Sequence, residues 1–300
     1  MGDAAGHAGR AAAGGGAARV KRTAAVPAVA LVWLTTTAVA QTLRTLTSAR
    51  QLHGETTLIV DVTYAVGDLK VEPASPGDLY RMELRYDEDK FTPVREYDQD
   101  AGVLRLGLRG LHGNASYRRL HSEETPSLDL ALTPEVPLQL RVDVGAAEAD
   151  AEFGGLELKR LAYKTGASES KVRFSRPNPV ECDALTFEVG AADFTASDLG
   201  NSNCRTMSFH GGVGDVTLDF GGAWRASAEA SVKIGIGSLK ILLPRELGVA
   251  ITLSRFLASF DHDGFTRRGG VYYSDNYATA RVRLNLDVDA AFGGIEVRWQ

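Results

Sequence analysis

The sequence predicts an all-β protein: a right-handed, parallel β-solenoid-like stack of coils of about 21–24 residues, preceded by a smaller β-rich region. Three observations carry this. Apolar and polar residues alternate through most of the chain after residue 55, as in T-L-I-V-D-V-T-Y, P-L-Q-L-R-V-D-V and V-R-L-N-L-D-V, whereas helical periodicity is almost absent. A strand–small–x–small–strand motif recurs. Its second small residues are Gly67, Ala147, Ser168, Ala192, Gly214, Gly237 and Gly293, and four successive intervals are 21, 24, 22 and 23 residues. Two adjacent copies also align closely. C-D-A-L-T-F-E-V-G-A-A-D-F-T-A begins at Cys182 and C-R-T-M-S-F-H-G-G-V-G-D-V-T-L at Cys204, 22 residues on.

Residues 1–40 read as a signal peptide. Arg19, Lys21 and Arg22 precede an apolar stretch of about 12 to 16 residues, and Ala38 and Ala40 fit the small-residue cleavage pattern, making Gln41 the first mature residue. The stretch is short for a membrane span of roughly 20 residues, although an uncleaved anchor is the alternative. The mature chain is expected to be exported, to the periplasm or beyond, and not to be an integral membrane protein. Removing the leader, with its four basic and one acidic side chain, takes the formal charge from -5 to -8. An acidic chain with no basic cluster is a poor nucleic-acid binder, and it gains nothing from simple electrostatic docking on anionic lipid.

Residues 41–136 form the expected N-terminal β-rich domain. Within it, 43–52 fit a short helix or a strand. D-V-T-Y-A-V-G-D-L-K-V, ending at Val71, is a looser copy of the repeat, and Gly110–Ser127 reads as a loop. Residues 137–300 form the solenoid domain. A coil cannot bury its apolar face alone, so neighbours stack over a shared core. Small residues at a repeating corner let the backbone bend and neighbouring chains approach. The expected corners are Gly67, Gly145, Gly166, Gly190, Gly212, Gly214, Gly235, Gly237 and Gly293. G-G-V-G-D-V-T-L-D-F from Gly211 is therefore a scaffold turn. In a calcium nonapeptide one further residue would separate Gly214 from Asp215, and a nucleotide loop would be followed by a helix.

Cys182 and Cys204 hold the same place in neighbouring copies. Matched residues of stacked strands lie about 4.8 Å apart, within disulfide reach, and an exported chain meets oxidising conditions. A disulfide and a pair of buried thiols both fit. Catalytic, cofactor and metal sites are not expected. No G-x-S-x-G elbow occurs, acids are spread over outward strand positions with no facing pair, and His53, His112, His121 and His210 are scattered. Asp261, His262, Asp263 and Asp275 could surround a cation, yet D-H-D-G is equally a hydrophilic turn. Arg267, Arg268, Tyr272, Tyr273 and Tyr277 combine residue types common at interface centres, and packing over the open end of the solenoid is the other reading.

G-G-V-G-D-V-T-L-D-F-G-G-x-W, I-G-I-G-S-L-K-I-L-L-P-R-E-L-G-V and the ending A-F-G-G-I-E-V-R-W resemble the bacterial toast-rack domain over residues 137–300. That domain is similar to the soluble part of LiaF-like envelope-stress proteins and to related adhesin-type solenoids. L-I-V-D-V-T-Y-A-V-G-D-L-K-V through L-Y-R-M-E-L-R-Y-D resembles the N-terminal domain that often precedes it. The resemblance implies a non-enzymatic module of the cell envelope, in stress response or adhesion, whose partner is an envelope protein, a glycan or a lipid headgroup. It brings no catalytic residues. The multiple membrane spans of LiaF-like proteins are not present here. A polysaccharide-acting solenoid enzyme and a self-associating module, pairing through an exposed terminal strand such as G-G-I-E-V-R-W, are the alternatives.

Overall fold

In the computed structural model, which describes residues 43–111, 125–261 and 264–300, the alternating segments become fifteen strands of one open sheet. The leader and its cleavage site lie outside the described residues, as do 112–124 of the expected loop and His262 and Asp263. Among the described residues no helix is long and apolar enough to cross a membrane.

The stack is built on β7 (Leu138–Glu152), β8 (Leu158–Arg173), β9 (Cys182–Ser197), β10 (Cys204–Asp219) and β11 (Ala228–Leu243), each parallel to the next. Each strand bends once near its middle. In β7, Leu138, Leu140, Val142 and Val144 are buried, then Ala147, Ala149 and Ala151. The two consecutive outward residues, Gly145 and Ala146, reset the alternation, so both arms keep their apolar side inward. One continuous core results. At its centre Phe187 packs 5.1 Å from Phe194, and Phe194 packs 5.5 Å from Phe209, ring to ring. Each such side chain, fully buried, contributes about 1.5–3 kcal/mol.

The bends explain the repeating small residues. A Cβ on Gly212 would stand 2.7 Å from the Gly190 carbonyl oxygen of the coil below, and one on Gly235 2.5 Å from that of Gly212. At the second small position, Gly237 and Gly293 adopt φ of +142° and +131°, a region that side chains oppose. Between coils, asparagine side chains close the turns. Buried Asn178 donates to the Leu158 and Ser202 carbonyls. Buried Asn201 donates to the Phe174 carbonyl at 2.7 Å and accepts from the Ala223 amide at 2.7 Å.

Chain order and stacking order part company at both ends. β2 (Leu58–Pro73) pairs in parallel with β7, placing Gly67 beside Ala147 across the expected division at residue 136. On its other side β2 meets β5 (Val103–Gly110) along one arm and β6 (Ser127–Leu132) along the other. β6 pairs with β3 (Asp78–Asp87), and β3 with β1 (Leu43–Gln51), so the helix-or-strand segment is a strand. β4 (Phe91–Asp98) pairs with β5. At the opposite end β15 (Arg283–Trp299) inserts between β11 and β12 (Gly248–Asp261), parallel to both. This corrects the expectation of an exposed terminal edge: G-G-I-E is paired on both sides, and V-R-W continues against β11. Outermost, the hairpin of β13 (Phe265–Arg268) and β14 (Val271–Ser274) pairs with the first arm of β12.

Candidate functional site

Outward residues of the first arms fall into files across the stack. One file runs Thr206–Glu229–Asn285–Ala250 and the next Ser208–Ser231–Asp287–Thr252. These two files floor an open cleft of 490 Å³ on the outer face of β10, β11, β15 and β12. Its wall comes from β14 and the turn after it. Antiparallel pairing sets Tyr273 beside Ala250 and Val271 beside Thr252, and Tyr277 closes the end. The two tyrosine rings meet edge to face at 5.1 Å. Tyr277 is held twice. Its hydroxyl donates to Asn285 Oδ1 at 2.8 Å, and Arg283 donates to the carbonyls of Tyr277 and Ala278 at 2.8 and 3.1 Å. The same two rings line a second cleft of 540 Å³ with Thr266, Arg268 and Asp275.

The floor is chemically specific. Glu229 and Asp287 are exposed carboxylates, and no basic side chain lines the first cleft. Ser208 Oγ donates to Thr186 Oγ1 at 3.2 Å. Among the described residues the hydroxyls of Thr206, Ser231 and Thr252 engage no other group, which leaves each able to donate and accept. Groups with shifted ionisation lie elsewhere. Burial pushes the Tyr163 phenol, inside the core, up to about 12. Burial, then the Asp219 and Glu152 carboxylates, raises Asp198 at a far turn.

The five surface residues picked out by sequence divide. Tyr273, Tyr277 and Arg268 line the clefts. Tyr272 points inward, buried against Phe260 at 5.0 Å, and Arg267 lies over its ring at 5.5 Å. Cys182 and Cys204 face one another on β9 and β10 and are disulfide-bonded, with Cα atoms 4.2 Å apart. The described residues hold no cluster of three or more potential metal ligands. Sequence reasoning did not single out Thr206, Ser231, Asn285 and Asp287. Each sits on an outward strand position where polar residues are ordinary, and only the registers of β10 on β11 and of β15 against β11 and β12 gather them.

A bent, parallel, coil-stacked sheet with an outward cleft at one end defines a β-solenoid of the toast-rack type. The N-terminal domain of toast_rack, DUF2154, matches residues 39–195 and 177–242, and the chain belongs to this family. No curated protein matches it in sequence. Similar solved structures include a candidate cell-adhesion protein from Clostridium sporogenes (TM-score 0.46, 14% identity, 86% of this chain and 100% of that one). Another is a candidate adhesin from Bacteroides fragilis (0.32, 10%, 84% and 97%). A third is a candidate lipid-binding protein from Parabacteroides distasonis (0.32, 11%, 85% and 96%).

Proposed function

We propose that this protein is an exported, non-enzymatic binding module of the bacterial cell envelope, serving adhesion or envelope-stress sensing, and that it holds its partner in the cleft beside Tyr273 and Tyr277. The observation that carries this is a concave site with two positioned aromatic rings and unengaged hydroxyls, a combination suited to recognition. The two carboxylates support binding over hydrolysis. Both stand open to water on outward positions, with no apolar enclosure to set one apart as an acid and the other as a base. The test is retention of the purified mature chain on isolated cell envelopes. Tyr273→Ala together with Asp287→Ala should abolish retention, while Lys240→Ala, on the other arm of β11, should leave it intact. Equal retention of all three would reject the cleft as the contact.

Self-association has its own observation. Val213, Ile236 and Phe292 align in register at the bends of β10, β11 and β15, exposed by 53%, 53% and 43%. Sedimentation across a concentration series, with Ile236→Ser for comparison, tests this second reading. A monomer at every concentration sets it aside.

A further inference from the structure

Resting on the cleft being the binding site proposed above, we infer that its ligand is a neutral oligosaccharide lying across β10, β11, β15 and β12 and past the two tyrosines. Charge narrows the choice first. With Glu229 and Asp287 on the floor and no cation among the residues lining it, a phosphate headgroup or an acidic sugar meets like charge along the floor. The nearby cations are Arg283, over the Tyr277 ring at 5.6 Å, and Arg268 in the second cleft.

Hydrogen bonding narrows it further. The floor strands are paired on both sides wherever they underlie the cleft. An incoming peptide therefore finds no backbone edge to extend, and strand addition is closed to it. Recognition must use side chains, and these are hydroxyls, an amide and carboxylates. Thr206, Ser231 and Thr252 each offer a donor and acceptors, as sugar hydroxyls do. Glu229 and Asp287 accept the short, charge-assisted bonds that hydroxyl donors make. A cationic peptide would pair with the carboxylates, but its amides offer donors and acceptors on separate atoms, a poorer match to a row of hydroxyls than the hydroxyls of a sugar.

The tyrosines supply the remaining element. A sugar ring has one face rich in C–H groups, which packs on an aromatic surface while its hydroxyls point outward. Tyr277 is fixed in advance by Asn285 and Arg283, so little conformational freedom is lost on binding. The second cleft, lined by the same two tyrosines with Thr266, Arg268 and Asp275, lets a ligand of several units continue beyond them.

The experiment is calorimetric titration of the mature chain with cellohexaose, chitohexaose and mannohexaose as neutral probes. Hexagalacturonate and phosphatidylglycerol vesicles serve as acidic ones. At least one neutral hexasaccharide should bind, with Tyr273→Ala weakening it ~10-fold or more and Lys240→Ala leaving it unchanged. Far-UV circular dichroism and melting temperature confirm that each variant is folded. Ser231→Ala removes only a hydroxyl and gives a milder second variant, expected to weaken binding by a few-fold. Binding confined to the acidic probes overturns the inference, as does neutral-sugar binding indifferent to both Tyr273→Ala and Ser231→Ala. If none of the sugars binds but envelope retention still depends on Tyr273, the ligand class is wrong and the binding site stands. If retention does not depend on Tyr273 either, both fall. Cleavage of a bound sugar would uphold the ligand class and overturn the non-enzymatic reading.

Discussion

Replacing Gly237 by alanine tests the account of how the coils stack. Gly237 sits at the bend of β11 with φ +142°, and a Cβ there would stand 1.8 Å from the Gly214 carbonyl oxygen and 2.8 Å from its carbon. Restoring an ordinary carbon–oxygen separation of ~3.3 Å means opening the coils by roughly 1.5 Å at that point. Ladder bonds near 2.9 Å do not survive such a movement. Losing about two of them costs ~2 kcal/mol, and the backbone strain adds ~1–3 kcal/mol, so Gly237→Ala should destabilise by about 3–5 kcal/mol. Gly77→Ala separates the two causes. Gly77 has φ +85° but nothing within 4 Å of where a Cβ would stand, so it should lose only the strain. Gly212→Ala is the converse, with an ordinary φ and a methyl 2.7 Å from the Gly190 carbonyl oxygen. Urea titration followed by circular dichroism reads all three. Equal losses for Gly237→Ala and Gly77→Ala would refute the close approach of coils as the reason for glycine at the bends.

Other outcomes follow from the same geometry. Asn201→Ala leaves the Phe174 carbonyl and the Ala223 amide without their partner, a loss of about 2–4 kcal/mol; a melting temperature matching the parent would mean water replaces the side chain without cost. The disulfide spans 22 residues, so its loss in Cys182→Ala/Cys204→Ala should cost ~3 kcal/mol by loop entropy. Dithiothreitol should lower the parent's melting temperature and leave the double variant unmoved. Asp198 has a raised folded-state pKa, chiefly from burial, so its charge opposes folding above that pKa. The penalty fades as pH falls through the carboxylate range. Asp198→Asn, which tolerates the φ of 58°, should therefore stabilise at pH ~7 by less than about 1 kcal/mol; an advantage persisting at pH ~3 would contradict the electrostatic cause.

The coils were legible because two local rules point the same way. Alternation marks each arm, and paired small residues mark each bend, so Gly214, Gly237 and Gly293 align from the order of residues alone. Order at the ends was not legible. The step from Gly237 to Gly293 is more than twice a coil, and the repeat does not account for it. In the structure that excess is β12 and its hairpin, placed outside β15. Periodicity identifies a coil but carries no information about which neighbour it pairs with, because any apolar arm satisfies any other. The site escaped for a related reason. Asn285 and Asp287 read as the solvent face of a strand, and only their position between Glu229 and Ser231 on one side and the β14 wall on the other gives them a cleft. Tyr273 and Tyr277 stood out by residue type, and Tyr272 stood out equally, although strand alternation turns it into the core.

The disulfide joins β9 to β10, near the middle of the stacking order rather than at an end. In a structure where each coil touches only its neighbours, opening spreads one interface at a time, and the two halves can part company wherever an interface is weakest. A covalent rung at the centre stops fraying that begins at either end. It also makes tension applied to one half pass through a bond instead of a hydrogen-bonded seam. Under tension from both ends the protein would then yield at its outer strands and keep its central coils joined.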